Sequence, residues 1–375
     1  MSTLVRGLDP TTGDLLEVTI DERITAITRR PGAGAELPYL APGLIDLQVN
    51  GFAGIDVNGP EVTAARIVEI TDALARRGVT TWVPTIVTAS EEAICRSLRA
   101  VAEARSHSPH LAQAIPCAHV EGPFLSDRDG PRGVHDAAQI RPIDAEEVAR
   151  WQQAGPVGMI TLSPHTEESP AQIARIARLG IRVAIGHTHA SGEQIIAAVD
   201  AGATLSTHLG NGISPQLARH PNPLWTQLAE DRLTCGLIAD GHHLPPETLE
   251  VMLRAKGVDR AFLVSDATEL AGRPPGRYET AVGGTVELST DGRLSYVGTE
   301  LLAGAASDVA AGLRFVLRAT SLSLRDALAL VTRTPGRILG RDTVLRVGGP
   351  ADLVALTADG TLRGVWQHGQ EVDLA

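Results

Sequence analysis

Glu121, His187 and His208 offer one carboxylate and two imidazoles. That donor set suits Zn2+ or a similar borderline divalent ion, with positions left open for water and substrate. An ion held this way polarises a carbonyl and lowers the pKa of its water toward neutrality. Asp266 could then accept the water's proton and later pass it to a leaving amine. Those parts make a hydrolase for an amide or related bond. Residue type alone does not settle the matter: the DATEL stretch that contains Asp266 could equally begin a capped helical turn. Nor do the ligands name the ion, since Fe2+, Co2+ or Mn2+ can occupy the same set in place of Zn2+.

Position supplies what type does not. Between about residues 44 and 320, short apolar runs alternate with amphipathic stretches. The runs are LIDLQV (44–49), TWVPTIV (81–87), AIPCAHV (114–120), MITLS (159–163), VAIG (183–186), ATLST (203–207), CGLIA (235–239) and AFLVS (261–265). Helix-like segments separate them, among them SGEQIIAAVDAGA, where Ser191 reads as an N-cap and Glu193 lies near the capping-box position. Eight such strands with crossover connections predict a closed parallel (β/α)8 barrel, the α/β fold of the TIM type. Six-stranded doubly wound sheets would leave strands over, and no GxGxxG follows the first run. In a barrel, catalytic groups sit at the C-terminal strand ends. Here strand 1 ends with Gln48 and Asn50, strand 3 with Glu121, strand 4 with His165, strand 5 with His187 and His189, strand 6 with His208 and strand 8 with Asp266. A lone His at a strand end is usually structural; the joint pattern is what points to a site. His189 lies two residues after His187, so an extended strand end would project both to one side.

The flanks differ. Residues 1–41 and 341–375 hold short β-prone pieces, which predicts a small β-sandwich domain built from both termini, with residues 42–340 forming the metal-dependent barrel. The stretch 267–300 is too long and too rich in Gly and Pro for an ordinary connection, and is expected to form a loop or hairpin over the barrel mouth. The 375 residues carry a formal net charge of -11 and no Lys/Arg-rich run, which argues against nucleic acid or an anionic membrane as partner. Three cysteines without a CxxC pair, and no signal-like or membrane-spanning run, point to a reduced, cytoplasmic setting.

The motifs APGLIDLQVNG (41–51), HVEGPF (119–124), IGHTHAS (185–191), THLGNG (207–212), ADGHHL (239–244) and VSDATELAG (264–272), followed by LLAGAASD (301–308) and GGPADLVAL (348–356), resemble in type and order those of N-acetylglucosamine-6-phosphate deacetylases, a family of amidohydrolases. The resemblance covers essentially the whole chain. It implies release of acetate from an N-acetyl amino sugar phosphate, leaving the amine sugar. The same machinery would serve an unphosphorylated N-acetyl sugar or another N-acyl amine, and a catalytically silent barrel is a further reading. By resemblance, Glu121, His187 and His208 form the family's single metal site, Asp266 is its acid/base, and His135 in GPRGVHD helps to polarise the acetamide carbonyl. Gln48 and Asn50 stand where many amidohydrolases carry a His-x-His pair for a second metal, so a one-metal site is implied. Asn211, Gly212 and Arg219 match phosphate-binding positions. His243 matches a histidine delivered across a homodimer interface into the neighbouring site. His165 and His189 depart from the usual Glu and Asn, and His189 is expected to hydrogen-bond behind the ligands.

Overall fold

The structure is a computed structural model that describes residues 2–32, 36–280 and 284–374. All eight apolar runs are strands of one parallel sheet: β1 (Leu44–Val49), β2 (Val79–Val87), β3 (Ala118–Glu121), β4 (Val157–Leu162), β5 (Arg182–Ile185), β6 (Ala203–Ser206), β7 (Thr234–Ile238) and β8 (Ala261–Val264). They neighbour one another in chain order from β1 to β8. Burial on both faces explains their nearly continuous apolar composition. Ile45, Leu47, Val83, Met159, Leu205 and Phe262 pack in one internal cluster, while the opposite faces meet the helices. One run is shorter than its composition suggests. Residues Pro109–Ala114 form a helix, begun by Pro109 behind an Ser108 cap, and the strand starts only at Ala118.

The helices begin where the sequence supplies acceptors. Thr63, Ser90, Asp144, Ser191 and Asp308 each accept a backbone N–H from their own first turn. At Ser191 the capping box closes through Gln194, one residue beyond Glu193.

Between β8 and β1 the barrel is joined differently. A single parallel bridge links Val49 to Ala267, and the Asp266 N–H donates to the Gln48 carbonyl at 3.0 Å. Beneath them the fully buried Asp46 carboxylate accepts the N–H groups of both Gln48 and Ser265, each at 3.2 Å. Burial raises this carboxyl to about 7. A side chain thus ties the first strand to the last just below the mouth.

Besides a two-stranded hairpin (Gly51–Phe52 with Ile55–Asp56), two further sheets flank the barrel. Both termini contribute to a seven-stranded sheet in which Leu353–Leu356 pairs with Tyr39–Pro42, joining C-terminal strands to N-terminal ones. Its own core includes Val18, Ile20, Leu40 and Leu353. The stretch after β8 forms the expected cover as a three-stranded antiparallel sheet, Gly276–Thr280, Gly284–Leu288 and Leu294–Tyr296. Leu270, Val286, Leu288 and Leu294 give it a small core of its own.

Candidate active site

Strand ends deliver the polar groups, and strained backbone turns them inward. His187, His208 and Asp266 directly follow or lie just beyond β5, β6 and β8, with φ of 47°, 25° and 51°. Five described non-glycine residues have positive φ, and three of them are these. Each such residue costs about 1–3 kcal/mol and persists only where its surroundings impose it, so the concentration marks this end of the barrel as functional. Gly212 answers to the same region. Its φ is +57°, and a Cβ there would stand 2.7 Å from Nδ1 of His187. The loop after β6 can therefore press its backbone onto the imidazole only with glycine at this position.

Glu121 Oε1 lies 3.0 Å from His208 Nε2 and 3.2 Å from His187 Nε2, and the two nitrogens are 3.1 Å apart. His187 donates from Nδ1 to the Pro131 carbonyl at 2.8 Å, which leaves its Nε2 lone pair aimed at this centre. Two imidazole nitrogens and a carboxylate oxygen converging this closely need a cation or a proton among them. Divalent-ion chemistry fits the donor set. With protons alone, hydrogen bonds from the two histidines outweigh burial and hold Glu121 well below the usual carboxylate range. His208 then rises to about 9: burial opposes the rise, and the Glu121 carboxylate overcomes it.

His135 is buried beside them. One oxygen of Glu121 and one nitrogen each of His135 and His187 lie within 4.8 Å of one another. His135 could thus compete with His208 as third ligand, and the two differ in their contacts. His208 touches both other ligands, whereas His135 Nε2 reaches only His187, at 3.3 Å. The His135 Nδ1 meets the Thr88 hydroxyl at 2.9 Å. Burial and then the neighbouring His187 push its pKa down to about 3, so it is a neutral imidazole.

Asp266 caps no helix. Its Oδ1 accepts amide N–H groups from Asn50 at 2.7 Å and Gln48 at 3.0 Å. Gln48 Nε2 also stands 3.2 Å from both Glu121 oxygens, bridging the two carboxylates. Burial, and then the charge of Glu121, raises Asp266 above the ordinary 3.8. Asn50, Glu121, His135, His187, His208 and Asp266 all line one cavity of about 610 Å³. The cover contributes Leu294 and Tyr296 to its wall.

The remaining residues singled out from sequence lie elsewhere. Asn211 turns its backbone N–H to the His208 carbonyl, at 2.9 Å. Arg219 is exposed in the 213–221 loop and makes no hydrogen bond or ion pair among the described residues. His243 is pinned to Asp240 of its own chain, Nδ1 to Oδ2 at 2.7 Å. His189 turns to partners different from those of His187, since the strand ends at Ile185 and does not extend through both. Its Nδ1 meets Ser126 Oγ at 2.5 Å, its ring lies 4.4 Å from that of His165, and His165 in turn bonds Ser163 at 2.8 Å. Sequence reading did not single out Thr88, Asp46 or the Pro131 carbonyl. Only Asp46 left a signal, as a charge within an otherwise buried apolar run.

A family model described as the amidohydrolase family matches residues 39–372. N-acetylgalactosamine-6-phosphate deacetylase of Shewanella is 33% identical over 88% of this chain and 82% of its own length. N-acetylglucosamine-6-phosphate deacetylase of Bos taurus is also 33% identical, over 98% of this chain and 90% of its own. Among solved structures, a mutant N-acetyl-D-glucosamine-6-phosphate deacetylase of Mycobacterium smegmatis, in complex with N-acetyl-D-glucosamine-6-phosphate, superposes with a TM-score of 0.86 at 29% identity, covering 100% of both chains.

Proposed function

The chain belongs to the amidohydrolase family and is a hydrolytic enzyme, and from that premise we propose that it removes the N-acetyl group from an N-acetyl amino sugar 6-phosphate, N-acetylglucosamine-6-phosphate first among them. The observation that carries this reading is the convergence of Glu121, His187 and His208 beside an aspartate already fixed by two amides. A single divalent ion held by those three, Zn2+ by preference, would supply a Lewis acid for the acyl carbonyl and a more acidic water. Asp266 takes up a proton from the attacking water at Oδ2, since Oδ1 already accepts two amide hydrogens, and returns it to the departing nitrogen. A carboxyl lifted by burial is better matched to both halves of that task than an ordinary aspartate. His135, neutral and held at Nδ1 by Thr88, donates from Nε2 to the carbonyl oxygen. Gln48 and Asn50 hold the carboxylates where a second ion would otherwise sit, which favours one ion. His189 acts behind the ligands through Ser126, whose N–H donates to the His187 carbonyl at 3.0 Å.

For the phosphate we propose Asn211, Gly212, Arg219 and His243, with His243 reaching across a homodimer interface into the neighbouring site. A homodimer remains part of the proposal, to be read from mass in solution, as do a cytoplasmic location and a division into a terminal β domain (1–41 with 341–375) and a barrel domain (42–340). One observation favours a second reading, an unphosphorylated N-acyl amine. The described residues lining the cavity include neither arginine nor lysine. An acetate-release screen across N-acetylglucosamine-6-phosphate, its galacto epimer and both free sugars, with bound metal measured alongside, tests the reading. Phosphorylated sugars should lead. Equal rates on the free sugars would move the conclusion to the second reading, and no release from any of them would remove it.

A further inference from the structure

The cavity wall beside the catalytic aspartate holds carboxylates that the reaction does not use. Asp56 and Glu269 both line it. The Glu269 carboxylate has no partner beyond its own backbone N–H among the described residues, and Asp56 accepts only from its near neighbour Asn58, at 2.7 Å from the backbone nitrogen. Burial raises both carboxyls, and at Glu269 the charge of Asp56 adds to it; among the described residues neither forms an ion pair. On the same wall the Asn50 side-chain oxygen is buried with no partner. Asp56, Glu269 and the Asn50 oxygen thus give this part of the wall a set of acceptors with capacity to spare.

It is also rigid. The hairpin Gly51–Phe52/Ile55–Asp56 is docked on residues 267–271 by backbone hydrogen bonds from Asn50 and Gly51 to Ala267, from Ala53 to Ala271 and from Gly54 to Glu269, at 2.7–3.0 Å. Asp56 and Glu269 are thus carried by two segments locked together, and one of those segments also carries Asp266. Solvated carboxylates on a flexible surface would need no partner. Half-buried ones fixed in a substrate cavity gain strongly from a ligand that brings hydrogen-bond donors. A phosphate brings the wrong charge to this wall. The hydroxyls of a sugar ring bring donors without charge.

We propose that Asp56 and Glu269 receive ring hydroxyls of the amino sugar, making this wall the place where one epimer is distinguished from another. The inference rests on the deacetylase reading above and names the part of the substrate that enters this corner. Identity to relatives does not choose the epimer, because those named for glucosamine and for galactosamine are equally similar at 33%. A hydroxyl-accepting pair placed off the reacting bond can choose it, since a site built to bond a hydroxyl discriminates strongly against a substrate that misplaces it.

The test measures kcat/KM for the metal-loaded wild type, Glu269→Gln and Asp56→Asn on N-acetylglucosamine-6-phosphate, N-acetylgalactosamine-6-phosphate and the 3-deoxy and 4-deoxy forms of the preferred sugar. Losing one charged hydrogen bond should lower kcat/KM on the preferred epimer roughly 10- to 100-fold. The epimer preference should shrink, metal content should stay unchanged, and on one of the deoxy sugars the variants should match the wild type. Equal losses on every sugar, or no loss on any, would overturn the inference while leaving the deacetylase intact. Absence of acetate release by the wild type from all four would overturn the deacetylase reading, and this one with it.

Discussion

Two pairs of histidines stand at neighbouring strand ends of this barrel, and only one of them builds a centre. His187 and His208 bring their Nε2 atoms to 3.1 Å and share one oxygen of Glu121. His165 and His189 lie ring against ring, yet each commits Nδ1 to a serine hydroxyl. Composition does not separate the pairs. Three structural differences do: a buried carboxylate between the nitrogens, a backbone carbonyl that fixes the His187 tautomer, and positive φ at both His187 and His208. A histidine becomes a ligand when its lone pair is aimed as well as available.

Asp266→Asn gives the largest expected effect on the first pair's side of the comparison. Turnover should fall about 100- to 10,000-fold with metal content preserved, because the amide keeps the contacts and loses the proton acceptor. Appreciable turnover in this variant would end the proposed proton transfer. The wild-type pH profile carries the same information. The base works deprotonated, so activity should fall as pH drops through its pKa, and this acid limb should be missing from the residual activity of Asp266→Asn. An acid limb that persists unchanged in Asp266→Asn would contradict the assignment.

His208→Gln should cost less in chemistry and more in metal. Changes behind a ligand weaken metal binding by about 10- to 100-fold, and loss of the ligand itself should exceed that range. Elemental analysis after dialysis reads the difference, and His135→Gln is the control that should retain its ion. If His135→Gln lost the ion and His208→Gln kept it, the third ligand would be His135. A smaller effect is expected for Gly212→Ala. An added Cβ at φ +57° meets the His187 ring, so metal affinity should fall about 10- to 100-fold, with a lowered Tm.

The barrel was legible because each strand is a short apolar run bounded by polar turns, and all eight runs became strands. The terminal sheet was legible from β-prone pieces at both ends. Side-chain direction was not. His189 was expected on the side of His187, yet the strand ends at Ile185 and His189 meets Ser126 and His165; nothing in GHTHAS encodes the positive φ at His187. Asp56 and Glu269 were passed over for a similar reason. They sit in a hairpin and a turn whose mutual docking depends on backbone hydrogen bonds between segments more than 200 residues apart in sequence.

The smallest expected effect belongs to the second pair. His165→Gln should change kcat/KM by no more than about threefold, because its nitrogen is committed to Ser163 away from the Glu121 centre. Its signature should appear in stability instead. Burial lowers the His165 pKa from 6.5, so below that pH the unfolded chain binds a proton that the folded chain resists. The stability contributed by neutral His165 is full above pH 6.5 and is lost as pH falls through the folded pKa. The wild-type Tm should therefore drop more steeply than that of His165→Gln as pH is lowered from 6.5. Parallel curves would mean that this histidine titrates as though exposed. A large loss of activity in His165→Gln would instead erase the contrast between the two pairs and bring His165 into the working site.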